Sequence, residues 1–258
     1  MVARFRSLSG RLLPNGVFDV LVQVALMQAT YMAYRLVRGW IDDPQGAAVA
    51  FENGRNVIGL ERSLGIFFEP SLQDAVGATS LVGDLASWVY LNAQVTVTLA
   101  ALVYLYLRHN GHFYFVRNMF IVSWMIALVG YALFPTAPPR FFPEWGFVDS
   151  VSDFTGVAPD SATANALFNP YAAVPSMHVA FALMIGLPLA ALAKHNVTRA
   201  FWRIYPLIVT FVIVVTANHF ILDAVLGALT AALAYAAAVS LARVRPVWAF
   251  EDARVRVA

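Results

Sequence analysis

The chain of 258 residues is 60% hydrophobic and only 12% charged, with a mean hydropathy of +0.68. A soluble domain carries about 25% charged residues, so this chain lacks the polar surface that a soluble globule needs and is predicted to reside in a lipid bilayer. The net charge of +2, without a run of basic residues, excludes a nucleic-acid partner, and the absence of cysteine excludes disulfides, thiolate metal sites and cysteine nucleophiles.

Apolar stretches of the length that crosses a bilayer as a helix, about 20 residues, recur six times along the chain. They are predicted at 17–37, 82–107, 115–135, 176–193, 203–218 and 219–242. The first stretch follows several arginines, as in a signal peptide, but it has no convincing small-residue cleavage site and is interpreted as an uncleaved span. The fold class is therefore predicted to be all-α: a polytopic membrane protein with six transmembrane helices in a single domain, residues 1–258.

The distribution of basic residues predicts the orientation of these spans. Twelve of the 17 Lys and Arg residues lie before the first span, in the connections 108–114 and 194–202, in the first residues of the spans that follow these two connections, or after the sixth span. Because cytoplasmic loops carry the excess of positive charge, both termini are predicted to be cytoplasmic, with the protein integral to the plasma (inner) membrane.

Two long connections, 43–75 and 136–175, lie on the extracytoplasmic side in this topology. The first, between the first two spans, is predicted to form an amphipathic helix that lies in the headgroup plane or caps the helix bundle. Its apolar residues fall on one side of a helical wheel and its polar residues mostly on the other: Val57, Ile58, Leu60, Leu64, Phe67 and Phe68 against Glu52, Arg55, Asn56, Glu61, Arg62 and Ser63. The second connection is rich in proline and aromatic residues, which predicts an ordered, non-helical loop.

Three short motifs fall on that same face of the membrane. They are Ala137-Pro138-Pro139-Arg140 after the third span, Pro175-Ser176-Met177-His178 at the start of the fourth, and His219-Phe220-Ile221-Leu222-Asp223 at the start of the sixth. Ionisable groups within a membrane span are costly and usually functional. We therefore interpret these motifs as a candidate active site on the extracytoplasmic side.

The i, i+4 spacing of His219 and Asp223 makes their side chains neighbours on a helix. Asp223 is expected to hold the imidazole in one tautomer and to stabilise its cation, as the orienting acid of a catalytic triad does. His219 then becomes a candidate nucleophile that forms a phosphohistidine. A purely structural hydrogen bond between the two residues is the alternative.

The other two motifs offer groups that bind phosphate. Ser176 is predicted to be the N-cap of a helix whose first N–H groups and dipole favour an anion. His178, one turn inside, is placed to protonate a leaving oxygen as general acid. The guanidinium fork of Arg140 matches phosphate oxygens, although an arginine there also serves as a headgroup anchor.

The ordered trio of Arg, Pro-Ser-x-His and His-x3-Asp-x3-Gly, which ends here at Gly227, resembles the type 2 phosphatidic acid phosphatase superfamily over residues 117–231. Within it, the sequence is most similar to the inositol phosphorylceramide synthase-like branch. The resemblance implies His219 as nucleophile, Asp223 as its orienter, His178 as acid, and Arg140, Ser176 and Met177 as phosphate-binding residues. It also implies a reaction without metal or other cofactor on a phospholipid or lipid phosphate, with water, an alcohol or inositol as acceptor.

Two cations of the common family pattern are absent. Leu133 stands where many members carry Lys, and Val212-Ile213 stand where they carry Ser-Arg. The synthase-like branch is similar in lacking them. Arg55 and Arg62 of the first outer connection are the candidates to replace the missing charge.

Two other functions stay open. His178, His219 and Asp223 form a legitimate zinc ligand set, as a metal-dependent intramembrane hydrolase would need. A transporter or lipid-binding protein is the non-enzymatic alternative, although no two-half symmetry is visible in the sequence. No chemistry is assigned to the three remaining histidines, which fall in predicted cytoplasmic loops: His109, His112 and His195.

Overall fold

The computed structural model of the chain describes residues 13–41, 44–157 and 171–249. Within these ranges the chain is all-α, as predicted, apart from one isolated bridge between Thr136 and Ala172. Several residues used in the sequence predictions lie outside the described residues: Arg4, Arg6, Arg11, Arg254, Arg256 and the stretch 158–170 of the second outer connection.

Eleven α-helices are found among the described residues. They are α1 (Gly16–Ile41), α2 (Pro44–Leu64), α3 (Glu69–Val76), α4 (Leu81–Asn92), α5 (Thr98–Arg108), α6 (Asn110–Leu133), α7 (Ser150–Thr155), α8 (Met177–Leu192), α9 (Asn196–Val215), α10 (Ile221–Val244) and α11 (Pro246–Ala249). A π-helical turn, Ala93–Val97, joins α4 and α5 into one continuous rod, and 3-10 turns form at Pro139–Phe141 and Pro143–Trp145.

Five of the six predicted spans form helices long and apolar enough to cross a membrane: α1, the α4–α5 rod, α6, α9 and α10. The predicted fourth span forms α8, which has only 16 residues. At 1.5 Å per residue α8 is about 24 Å long, shorter than a hydrocarbon core of about 30 Å. It is apolar on all sides and packs against α5, α6, α9 and α10, so it forms the centre of the bundle rather than its lipid-facing wall.

The first outer connection folds over the end of the bundle where the third motif lies. Ala50 and Ile58 of α2 are buried against Phe142 and Phe220. Helix α2 therefore caps the bundle, which is one of the two positions predicted for it. Leu60 and Leu64, which the helical wheel placed with the apolar face, are exposed.

One polar residue of α2 contradicts the predicted wheel. Glu61 was assigned to the polar face, yet its side chain is fully buried. It turns inward because its carboxylate accepts a hydrogen bond from the backbone N–H of Leu222, at the start of α10.

The described part of the second outer connection, residues 136–157 and 171–175, contains short helices, so the prediction of a non-helical loop is wrong there. Helix α7 begins after Asp149, whose side chain accepts a hydrogen bond from Ser152 N–H as an N-cap. Asp at this position satisfies a backbone donor that a first turn leaves unpaired, and this local capping outweighs the loop-forming composition of the surrounding sequence.

Gly227 sets the distance between α10 and the start of α8. A Cβ atom built on this glycine would lie 2.2 Å from the carbonyl oxygen of Ser176 and 3.3 Å from Cβ of Val179. The two helices therefore pack backbone to backbone at this point, which only glycine permits.

We expect Gly227→Ala to lower the stability of the folded protein by several kcal/mol or to prevent folding, because the added methyl group forces the two backbones apart. The control is Gly59→Ala in α2, where a Cβ atom meets nothing within 4 Å. There the change is expected to stabilise the helix by about 0.5–1 kcal/mol. Thermal unfolding in detergent, followed by size-exclusion chromatography, measures both, and equal melting temperatures for the two variants would contradict the packing argument.

Candidate active site

The i, i+4 spacing of His219 and Asp223 predicted that both lie in a helix. In the structure His219 instead lies in the turn between α9 and α10. Helix α10 begins at Ile221, and Phe220 is its N-cap residue. Asp223, at the third helical position, accepts a hydrogen bond from Phe220 N–H at 2.9 Å. The same Asp223 oxygen, Oδ2, lies 3.3 Å from His219 Nδ1, because the capping side chain folds back towards the residues that precede the helix.

The contacts of His219 define its tautomer. Nδ1 lies 3.0 Å from the carbonyl oxygen of Ala173 and 3.3 Å from Asp223 Oδ2. Both partners are acceptors, so we assign the proton to Nδ1. Nε2 then keeps its lone pair, and it faces His178 Nδ1 at 3.3 Å.

His178 is the second residue of α8 and is buried. Its ring stacks on Tyr90 of α4, with ring centroids 4.5 Å apart and an angle of 23° between the planes. Two contacts thus hold the ring of His178: Tyr90 against its face and His219 at one nitrogen. Sequence analysis missed Tyr90, since an aromatic residue within a predicted span carries no signal that separates it from a core residue.

Arg140 is tied to the turn that carries His219. Its backbone N–H donates to the carbonyl oxygen of Ala217 at 2.8 Å, and its Nη1 donates to the side-chain oxygen of Asn218. Its Nε lies 3.8 Å from Asp149 Oδ2. Asn218 is a further site residue that sequence analysis did not assign, although it directly precedes His219 in the chain.

The site opens onto a cavity of about 420 Å³. Its polar residues include Arg140, His178, Asn218 and His219, and most of the remaining lining is apolar or aromatic: Met27, Tyr31, Tyr90, Val95, Leu99, Leu102, Phe120, Trp124, Tyr131, Pro138, Ala172, Ala173, Met177 and Phe181. A mostly apolar cavity of a few hundred Å³ with a few convergent polar groups is typical of a ligand site.

The wall of this cavity reaches the outer surface of the bundle. Val95 and Leu99 line the cavity and are also largely exposed on the α4–α5 rod. Val95 belongs to the π-helical turn, which brings Gln94 into the lining as well. Such turns recur at functional sites because they shift side chains out of the regular helical register.

Met177 and Ser176, the other two predicted phosphate-binding residues, differ in whether they line the cavity. Met177 lines the cavity, whereas Ser176 is not among the residues that line it. The Ser176 hydroxyl is buried and has no hydrogen-bond partner in the part of the chain that the structure describes. Its backbone N–H donates to the carbonyl oxygen of Asp223. Ser176 occupies the N-cap position of α8, but its side chain does not cap the helix, contrary to the prediction.

Arg55 and Arg62 do not supply the missing positive charge of the cavity. The guanidinium carbon of Arg55 lies 6.0 Å from the ring centre of Phe142, and that of Arg62 lies 5.1 Å from the ring of Trp145. Neither arginine lines the cavity. Cation–π contacts with the outer loop therefore account for their positions.

The histidines and Asp223 form a chain of contacts, not a ring around a common point. Asp223 contacts Nδ1 of His219, and His178 contacts Nε2, so both nitrogens of His219 already have partners. In the part of the chain that the structure describes, no three His, Asp or Glu side chains are arranged to hold a metal ion. The arrangement instead offers a nucleophilic nitrogen, an acid that orients it, a second imidazole for proton transfer and one guanidinium group.

Comparison with known proteins gave one family match. The family model described as the PAP2 superfamily matches residues 55–237, which include the second half of α2, all of α3 to α9 and most of α10. Neither the curated proteins nor the solved structures gave a match.

Ala217, two residues before His219, has a backbone φ of +53° and is fully buried beside Phe142 and Phe220. We expect Ala217→Val to lower stability by about 2 kcal/mol or more, because a β-branched residue adopts this conformation poorly and the packed site has no room for it. Ala217→Gly, which accepts the same conformation freely, is expected to cost much less. Thermal unfolding of both variants checks this order, and the reverse order would contradict it.

Proposed function

This chain belongs to the PAP2 superfamily, and we propose that it is a membrane enzyme that moves the phosphoryl-containing headgroup of a phospholipid, or hydrolyses it, through a covalent phosphohistidine at His219. The observation that carries the proposal is the pair of contacts on His219. Asp223 and a backbone carbonyl hold the proton on Nδ1, which leaves the lone pair of Nε2 facing His178, in a cavity that Arg140 also lines.

The proposed reaction has two balanced steps. In the first, His219 Nε2 attacks phosphorus, a P–N bond forms, and the P–O bond to the lipid alcohol breaks as His178 gives a proton to the departing oxygen. In the second, water or an acceptor alcohol loses its proton to His178 and attacks phosphorus, and the P–N bond breaks. His219 is then restored, and Asp223 has stabilised its cationic form throughout.

Substrate binding must separate the two histidine rings. Their nitrogens lie 3.3 Å apart, whereas an in-line displacement places the attacking and leaving atoms on opposite sides of phosphorus. The phosphoryl group therefore enters between His219 Nε2 and His178. The stacking of His178 on Tyr90 limits where that ring can move.

The charge of the cavity favours a phosphodiester over a phosphomonoester as donor. A monoester carries a charge of about −1.5 to −2 at neutral pH, and a diester carries one negative charge. Among the described residues that line the cavity, Arg140 is the one Lys or Arg side chain. A single guanidinium group balances a monoanion, which supports headgroup transfer of the kind the inositol phosphorylceramide synthase-like branch performs, with an alcohol or inositol as acceptor.

The lipid part of the substrate fits the apolar part of the same cavity. Its wall includes largely exposed residues of the α4–α5 rod, so a lipid tail in the bilayer reaches the site from the side. The excess of basic residues in the predicted cytoplasmic segments supports placing this site on the extracytoplasmic face.

The first prediction concerns the nucleophile. We expect His219→Ala to abolish turnover, and Asp223→Asn to reduce it by about 10⁴-fold, the loss that follows when the orienting acid of a catalytic triad is replaced by its amide. Purified protein is incubated with a panel of phospholipids and lipid phosphates, with and without polyol acceptors, and the products are identified by mass spectrometry.

The matched control is His112→Ala, an exposed histidine at the other end of α6 from Arg140, which is expected to retain activity. Melting temperatures establish that each variant is folded. Free phosphate would identify a phosphatase, and a headgroup moved to another alcohol would identify a transferase. Full activity of folded His219→Ala would refute the mechanism.

The second prediction concerns the lipid tail. Leu99→Trp narrows the cavity where it meets the bilayer, so we expect KM for a long-chain phospholipid to rise by about tenfold or more while turnover of a short-chain analogue is unchanged. Leu107→Trp is the control, since Leu107 is exposed on the same helix and does not line the cavity. An equal effect of both substitutions on both substrates would argue against this path for the tail.

A further inference from the structure

Two glutamates of the first outer connection lie fully buried beside the start of α10. Glu61 is near the end of α2 and Glu69 is the first residue of α3, and neither side chain has any exposed surface. Glutamate is almost never fully buried unless it is paired. The proposed chemistry at His219 does not explain why both glutamates are buried.

Each glutamate accepts a hydrogen bond from the first turn of α10. Glu61 Oε1 lies 2.8 Å from the backbone nitrogen of Leu222, and Glu69 Oε1 lies 3.2 Å from that of Ile221. Asp223 Oδ2 accepts from Phe220 N–H in the same way. The first N–H groups of a helix have no partner within it, so three carboxyl groups from three helices close the N-terminus of α10, where its dipole favours negative charge.

The second oxygen of each glutamate indicates a shared proton. Both Glu61 Oε2 and Glu69 Oε2 are buried, and neither has a hydrogen-bond partner among the described residues. Two adjacent carboxylates in a buried site cannot both stay charged. Burial, together with the side-chain hydrogen bond to Glu69, raises the pKa of Glu61 to about 9. The ionisable groups that act on Glu61 are Glu69 of α3 and Asp223 of α10.

We propose that Glu61 and Glu69 form an acid pair that shares one proton and fixes the start of α10, and that they thereby act as positioning residues for His219. This inference rests on the proposed function of His219. One residue separates His219 from Ile221, and that residue, Phe220, is itself held by Asp223. The imidazole consequently has little freedom to move independently of the first turn, and a displacement of about 1 Å at a reacting group reduces the rate by about 10²-fold.

The positioning role is tested with two substitutions at one site. Glu61→Gln keeps an oxygen for Leu222 N–H and provides an N–H for Glu69, so we expect it to retain most of the wild-type kcat. Glu61→Leu removes both groups, and we expect kcat to fall by about 10–100-fold with KM for the phospholipid changed less than threefold. Glu52→Leu, on the exposed side of the same helix, is the control and is expected to behave like wild type.

The shared proton is tested without any substrate. Because the pKa of Glu61 is raised from 4.5 to about 9 in the folded protein, the folded state holds a proton that the unfolded state releases between these values. Its contribution to stability is thus full below about pH 4.5 and is lost as the pH rises towards 9. Glu61→Gln removes this titration, so we expect its melting temperature to gain on that of wild type between pH 6 and pH 9.

The outcomes separate the two proposals. Wild-type kcat in folded Glu61→Leu, with His219→Ala inactive, would overturn the positioning role and leave the proposed function intact. Wild-type kcat in folded His219→Ala would overturn the proposed function and the positioning role with it. A melting-temperature difference between Glu61→Gln and wild type that does not change with pH would overturn the shared proton. Loss of activity in Glu61→Leu, rescued in Glu61→Gln, together with the pH-dependent difference in melting, supports the whole inference.

Discussion

The geometry of the site depends on how the first turn of α10 is closed. A helix that begins inside a protein exposes unpaired N–H groups, and buried carboxyl groups lack donors. One oxygen each of Asp223, Glu61 and Glu69, from three different helices, accepts a hydrogen bond from one of these N–H groups. Asp223 Oδ2 also contacts His219 Nδ1. The same side chain therefore closes the start of α10 and orients the imidazole. Stability and site geometry are thus coupled at a single point of the fold.

The short central helix brings the second histidine to that point. Helix α8 is too short to span a bilayer by itself but is surrounded by longer helices, so its N-terminus lies inside the bundle, where His178 meets His219. The close approach at Gly227 sets this depth, since the carbonyl oxygen of Ser176 occupies the space that any larger residue would fill. Helix length and one glycine together place the two imidazoles within contact distance.

The positive charge that Arg140 brings to the cavity is held in position by hydrogen bonds. Leu133 is exposed at the end of α6, and Val212 and Ile213 are buried in α9, so the positions where the common family pattern has cations contribute none here. Arg140 is held instead by Ala217 and Asn218, the two residues before His219. Arg140 and His219 are therefore tied to the same short stretch of backbone.

The sequence by itself determined the membrane class, the approximate spans and the family. These follow from local properties: length of apolar stretches, spacing of a few polar residues within them, and the three ordered motifs. Only the tertiary structure decided which residues meet. A helical wheel placed Glu61 on the polar side of α2, and spacing placed His219 in a helix; in the structure the start of α10 draws Glu61 inward and leaves His219 in the turn before it. The roles of Tyr90, Asn218 and Glu69 likewise become visible only in the tertiary structure. Hydrogen bonds and ring contacts between residues distant in the chain depend on packing in three dimensions, which local sequence patterns do not encode.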